Sequence, residues 1–177
     1  SAWNIASTST NNASDYNTII GDSAMGQGTI AGATYNVGVG YKALNALTSG
    51  DYNIAIGNQP MQTATASEGN IALGHDALGD VAVAESYNVA IGHSAMALVD
   101  EGSGDADFNI AIGFNALYGG DLASNGDLLG NIAIGGQALA STAANAQTGT
   151  IAIGHSALNA LTTGAGNIAI GYQALVA

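Results

Sequence analysis

Apolar and polar positions along the chain fall into one nine-residue pattern that recurs from end to end. It is clearest at Asn53–Met61 (NIAIGNQPM) and Asn167–Leu175 (NIAIGYQAL): an asparagine, an aliphatic–small–aliphatic triplet, a glycine, two variable residues, then Ala and Leu or Met. The central glycine stands at Gly21, Gly40, Gly57, Gly74, Gly92, Gly113, Gly135, Gly154 and Gly171, so successive copies lie 19, 17, 17, 18, 21, 22, 19 and 17 residues apart. Self-similarity at such a spacing marks a repeat architecture, in which each unit buries its apolar face only by stacking on its neighbours.

Within a unit the alternation has period two. Ile54 and Ile56 point to one face of an extended segment and Ala55 to the other, and the same holds for Ile110/Ile112, Ile132/Ile134, Ile151/Ile153 and Ile168/Ile170. β-Branched residues in this register predict a strand. The opposite face is small (Ala55, Ala72, Ala90, Ala111, Ala133, Ala152, Ala169) and leaves room for another backbone to approach. The glycine that follows supplies a positive φ or a tight corner. The second half of the unit is ambiguous. Lys42–Leu47 and Ser156–Leu161 space their leucines by three and use good helix formers, which fits a short helical turn or a bent second strand. Pro60 suits a corner, and Thr48–Asp51 and Thr162–Gly166 have turn composition that returns the chain to the next asparagine.

The expected fold is therefore all-β: a parallel β-roll or β-solenoid of about nine coils over residues 17–177, after a degenerate N-terminal cap or joining segment at 1–16. Trp3, the single tryptophan, would cover the end of the core or meet a preceding segment. Coils advancing about 4.8 Å each make a rod roughly 40–45 Å long. Equivalent side chains then stack. Asn17, Asn36, Asn53, Asn70, Asn88, Asn109, Asn131 and Asn167, with Thr150 once in their place, would form an amide ladder. An asparagine recurring in this way is structural rather than catalytic.

Composition narrows the function. Of 177 residues, 47% are apolar but only 6% aromatic and 8% charged, which suits a thin core of one or two aliphatic side chains per coil. Thirteen acidic residues face one basic residue, Lys42, for a formal charge of −12. Such a chain has no electrostatic means of holding a phosphate backbone or an anionic membrane surface. Cysteine is absent, which removes disulfides and thiolate metal sites, and no run approaches the roughly 18 apolar residues of a membrane span. The opening SAWNIASTST, without Met or a charged leader, suggests a processed chain or a fragment.

The tandem N-[IVT]-A-I-G-x-x-A-L units, covering Asn17 to Leu175, resemble the head repeats of YadA-like trimeric autotransporter adhesins. They resemble still more the NTAIGYQAL-type repeats of bacteriophage tail fibres. The resemblance implies an obligate homotrimer of left-handed parallel β-rolls in a fibre or adhesin head, and the small alanine face fits close packing of three chains at an axis. Coils of 17–22 residues are longer than the adhesin head repeat, and no coiled-coil stalk, anchor or chaperone is present in the sequence.

Candidate chemistry lies mainly in the longer units. Residues 97–108 carry Asp100, Glu101, Asp105 and Asp107, hard oxygen donors suited to Ca²⁺, although the spacing matches no EF-hand; a solvated acidic loop is the competing reading. Residues 118–130 form a second insertion, and such insertions commonly build a binding face. His75, His93 and His155 each follow the repeat glycine, so His75 and His93 would stand about 5 Å apart in adjacent coils. Tyr41, Phe114 and Tyr172 share that position and could stack on sugar rings. Gly92–Met96 and Gly154–Leu158 lack the second glycine of a nucleophile elbow, and no phosphate-loop signature occurs.

These features point to a non-enzymatic extracellular fibre or adhesin segment involved in attachment, without a cofactor beyond the candidate calcium. Its partners would be copies of itself and a cell-surface glycan or protein receptor. The alternative is a filament or matrix subunit that polymerises through its chain ends, an uncapped coil being a template for another chain. A glycan depolymerase would need paired carboxylates converging in a groove.

Overall fold

A computed structural model describes residues 16–26, 31–81, 85–99, 105–119, 127–141, 147–161 and 164–176. Trp3 and the 1–15 segment lie outside them, as do Asp100 and Glu101. The chain is a β-solenoid. Each aliphatic–small–aliphatic triplet is a three-residue strand: Thr18–Ile20, Val37–Val39, Ile54–Ile56, Ile71–Leu73, Val89–Ile91, Ile110–Ile112, Ile132–Ile134, Ile151–Ile153 and Ile168–Ile170. The nine strands form one parallel sheet in sequence order, with equivalent residues paired throughout, as in Ala55↔Ala72 and Ala111↔Ala133. At about 4.8 Å per strand the sheet runs roughly 40 Å along the axis.

The core lies on the alanine side. Ala55, Ala72, Ala90, Ala111, Ala133 and Ala152 have no exposed surface, and the Leu or Met of the turn leg packs across from them. This overturns the expectation that the small face receives other chains. The alanines are small because the opposite wall of their own coil is only a side chain away. The isoleucines, expected on the second face, point outward.

The turn leg is neither a helical turn nor a bent strand, and no helix occurs among the described residues. The second and fourth residues after each repeat glycine take positive φ, as in Lys42 (53°) and Leu44 (54°), Gln59 (59°) and Met61 (49°), and Ser156 (56°) and Leu158 (48°). Between these two residues the direction in which the backbone N–H groups donate along the axis reverses. Lys42 donates back to the Asp22 carbonyl (3.0 Å) while Leu44 donates forward to that of Pro60 (3.2 Å). Left-handed backbone costs a leucine roughly 1–2 kcal/mol, and full burial of its side chain returns about 1.5–3 kcal/mol. Pro60 sits at the intervening position, where its missing N–H costs the coil no forward or backward bond.

The return legs vary in length and carry two smaller parallel sheets. One joins Asp80–Val81 to Leu98–Val99; the other orders Ala106–Asp107, Leu128–Leu129 and Gln147–Thr148. Val81, Val99 and Leu128 from these strands close the third side of the core.

Candidate interaction surfaces

The principal sheet leaves two columns of side chains on the outside. One runs Thr18, Val37, Ile54, Ile71, Val89, Ile110, Ile132, Ile151 and Ile168, and the other Ile20, Val39, Ile56, Leu73, Ile91, Ile112, Ile134, Ile153 and Ile170. Thr18 is the single polar member and no charge occurs in either column. Stacking on the neighbours above and below half-covers the inner members, while Ile168 and Ile170 in the last strand are 64% and 68% exposed.

Behind this sheet the repeat asparagines are buried and bonded in series. Asn53 donates its Nδ2 to Oδ1 of Asn36 (3.0 Å) and to the Ser67 carbonyl (2.7 Å). Its own Oδ1 accepts the backbone N–H of Asn70 (3.0 Å). Each asparagine thus ties three coils together, and the pattern holds from Asn17 to Asn131. The series breaks at Thr150. Its N–H still reaches Asn131 Oδ1 (3.0 Å), but its own Oγ1 and the following Asn167 Nδ2 are buried without a hydrogen-bond partner.

Two corner columns carry rings. In the residue after the repeat glycine, His75 and His93 stack at 4.8 Å with planes 10° apart, and Phe114 follows at 5.5 Å; His155 and Tyr172 stack at 5.6 Å. His75 Nδ1 lies 3.0 Å from Asp76 Oδ2, and His93 and His155 each meet the hydroxyl of the next serine at 3.0 Å. The parallel imidazoles do not converge on a common point. Tyr41 is contacted by Lys42, whose Nζ lies 5.4 Å from the ring centroid.

The second column, not recognised in the sequence, precedes the repeat asparagine. Tyr16, Tyr35 and Tyr52 stack at 4.8 and 5.1 Å, and Tyr87 and Phe108 at 5.3 Å. Every residue here has φ between 58° and 69°, and Gly69, Gly130, Gly149 and Gly166 occupy it in the other coils. The signal was available: one position alternating between glycine and an aromatic ring. Ring stacking contributes about 0.5–1.5 kcal/mol per pair, enough to offset the backbone strain. The Tyr87 hydroxyl is held above its ordinary pKa by its hydrogen bond to Glu68 and the charge of that carboxylate.

Of the candidate calcium ligands, Asp105 and Asp107 are described. Asp107 Oδ1 accepts the Ser86 N–H (2.7 Å), and the Asp105 N–H donates to Asp127 Oδ1 (3.3 Å), so Asp107 and Asp127 stitch neighbouring coils. Burial, and then the charge of Asp105, raise the Asp107 carboxyl, with the Ser86 N–H opposing them. Among the described residues no group of three or more His, Asp or Glu is placed to hold a metal ion, and no helix is long and apolar enough to cross a membrane. Comparison with protein-family models, curated proteins and solved structures finds no match for this chain.

Proposed function

We propose that the chain is a structural, non-enzymatic attachment rod that associates with copies of itself through the aliphatic face of its nine-stranded sheet. The observation that carries this reading is the pair of outward columns, aliphatic at every position but Thr18. Together they span roughly 40 by 10 Å, on the order of 400 Å². A contiguous apolar patch of that size on a single chain is commonly an interaction site. A ladder with a pitch of about 4.8 Å is matched best by another ladder of the same pitch, and a second copy supplies it. The resemblance to tail-fibre and adhesin-head repeats favours three chains around an axis and an extracellular setting on a virion or cell surface. Low aromatic content and a charge of −12 suit a stiff, soluble spacer.

The competing reading is end-to-end stacking, in which an edge strand of the sheet, Thr18–Ile20 or Ile168–Ile170, pairs with an edge strand of another copy. Native mass by light scattering, with negative-stain images of the same sample, separates the two. A discrete species of three chains supports lateral association; open polymers support end-to-end stacking; a monomer at micromolar concentration overturns both.

A further inference from the structure

A cleft opens on the outside of the turn legs of four successive coils, and one column of the repeat explains its shape. The fifth residue after the repeat glycine is Gln62, Gly79, Ala97 and Tyr118 in these coils. All four line the cleft. Gly79 and Ala97 keep the floor low for two coils, and the longer Gln62 and Tyr118 bound it along the axis. Asp76 and Ser94, from the position two after the glycine, stand on one side; Asp80 and Leu98 stand on the other. The cleft is open to solvent on one side and has a volume of about 290 Å³, just below the roughly 300–1,000 Å³ typical of small-molecule pockets.

The donor set selects the ligand. Asp76 and Asp80 offer carboxylate oxygens to hydroxyl donors, and Asp76 is steadied by His75 Nδ1 at 3.0 Å. Gln59 donates to Gln62 Oε1 (2.7 Å), which leaves Gln59 Oε1 as an acceptor and Gln62 Nε2 as a donor. Leu98, 38% exposed, and the Tyr118 ring give an apolar surface beside these groups. No lining residue is basic, so an anionic ligand would meet only like charge. Many acceptors, few donors, no cation and an adjoining apolar surface fit a neutral ring bearing several hydroxyls and an apolar C–H face.

We propose that this cleft binds one neutral hexopyranose unit, the terminal or branch sugar of a glycan. Its biological use rests on the attachment reading, whereas its chemistry does not require any oligomeric state. Saturation-transfer NMR on the full chain tests it, with the methyl pyranosides of glucose, mannose and galactose and with N-acetylglucosamine as probes. At least one should give saturation transfer. Asp80→Asn and Gln62→Ala, both surface changes that keep the backbone bonds, should each weaken it tenfold or more while circular dichroism and native mass stay unchanged. No transfer to any of the four sugars, transfer unaffected in both variants, or a response to Ca²⁺ alone would overturn the assignment. An unchanged native mass in that case leaves the attachment rod standing, and sugar binding by a monomer would separate the two the other way.

Discussion

At the scale of single residues, the repeat asparagine shows how much one side chain decides. It sits on the concave side of a corner, where three coils leave carbonyls and N–H groups with no water to meet. A short amide serves them all, with two N–H donors and a carbonyl acceptor on one side chain. Thr150 is the exception that measures the rule, since it leaves its own Oγ1 and the Nδ2 of Asn167 without partners. Thr150→Asn should restore the series from Asn131 to Asn167 in a site whose equivalents already accommodate asparagine. A net gain of about 1 kcal/mol per recovered bond predicts a higher urea midpoint at unchanged m-value. Asp107 carries the opposite lesson. Its carboxyl pKa is raised in the folded state, so the fold holds its proton more tightly than the unfolded chain does. Its contribution to stability is therefore fully present below the ordinary aspartate value of about 3.9 and is lost as pH rises through the higher folded value. Asp107→Asn keeps an acceptor for the Ser86 N–H and removes the charge. The variant should be slightly more stable than the parent at pH 7, with the gap closing on acidification; solvent screening keeps the effect small. Paired urea melts at pH 7 and pH 3.5 would show it.

At the scale of the coil, the strands were legible in the sequence and the turn legs were not. Period-two isoleucines and a recurring glycine announce a strand and its corner directly. Gly113 illustrates why nothing else serves at the corner: its φ is 133°, and an added Cβ would lie 2.7 Å from the Gly135 carbonyl carbon of the next coil. Gly113→Ala should therefore lower stability by more than the roughly 1 kcal/mol of an ordinary glycine effect, with thermal unfolding as the measure. The turn leg defeated the same reasoning because its leucines adopt left-handed φ, which propensity assigns to glycine and asparagine. Coil stacking, a non-local effect, overrides that preference. Which face of the strand is the inside was equally hidden. Bulky aliphatics normally mark the core, but here the coil is so narrow that alanine fills its interior and isoleucine is left outside. The proposed sugar cleft was also illegible, since Gln62, Asp80, Leu98 and Tyr118 come from four different coils and meet only through the repeat register.

At the scale of the whole rod, the outward isoleucines become the central question. Eighteen positions with one threonine and no charge cost solubility unless something covers them. Neighbours within the sheet cover only part of each side chain, so the remaining surface calls for a partner of equal pitch. Ile112 stands near the middle of the sheet, outside the core, the asparagine series and the glycine corner. Ile112→Glu should therefore leave the coil folded, with a cost near the spread of ordinary surface substitutions, about 0.5 kcal/mol, plus a small loss of strand propensity. In an assembly closed around this face, the same carboxylate would be buried without a partner in every copy, at a cost of several kcal/mol each. The variant should then run as a monomer with the circular dichroism of the parent, whereas Asn58→Glu, on an exposed corner, should keep the parent mass. If Ile112→Glu keeps it as well, the aliphatic face is not where the copies meet, and association through the ends of the rod becomes the better account.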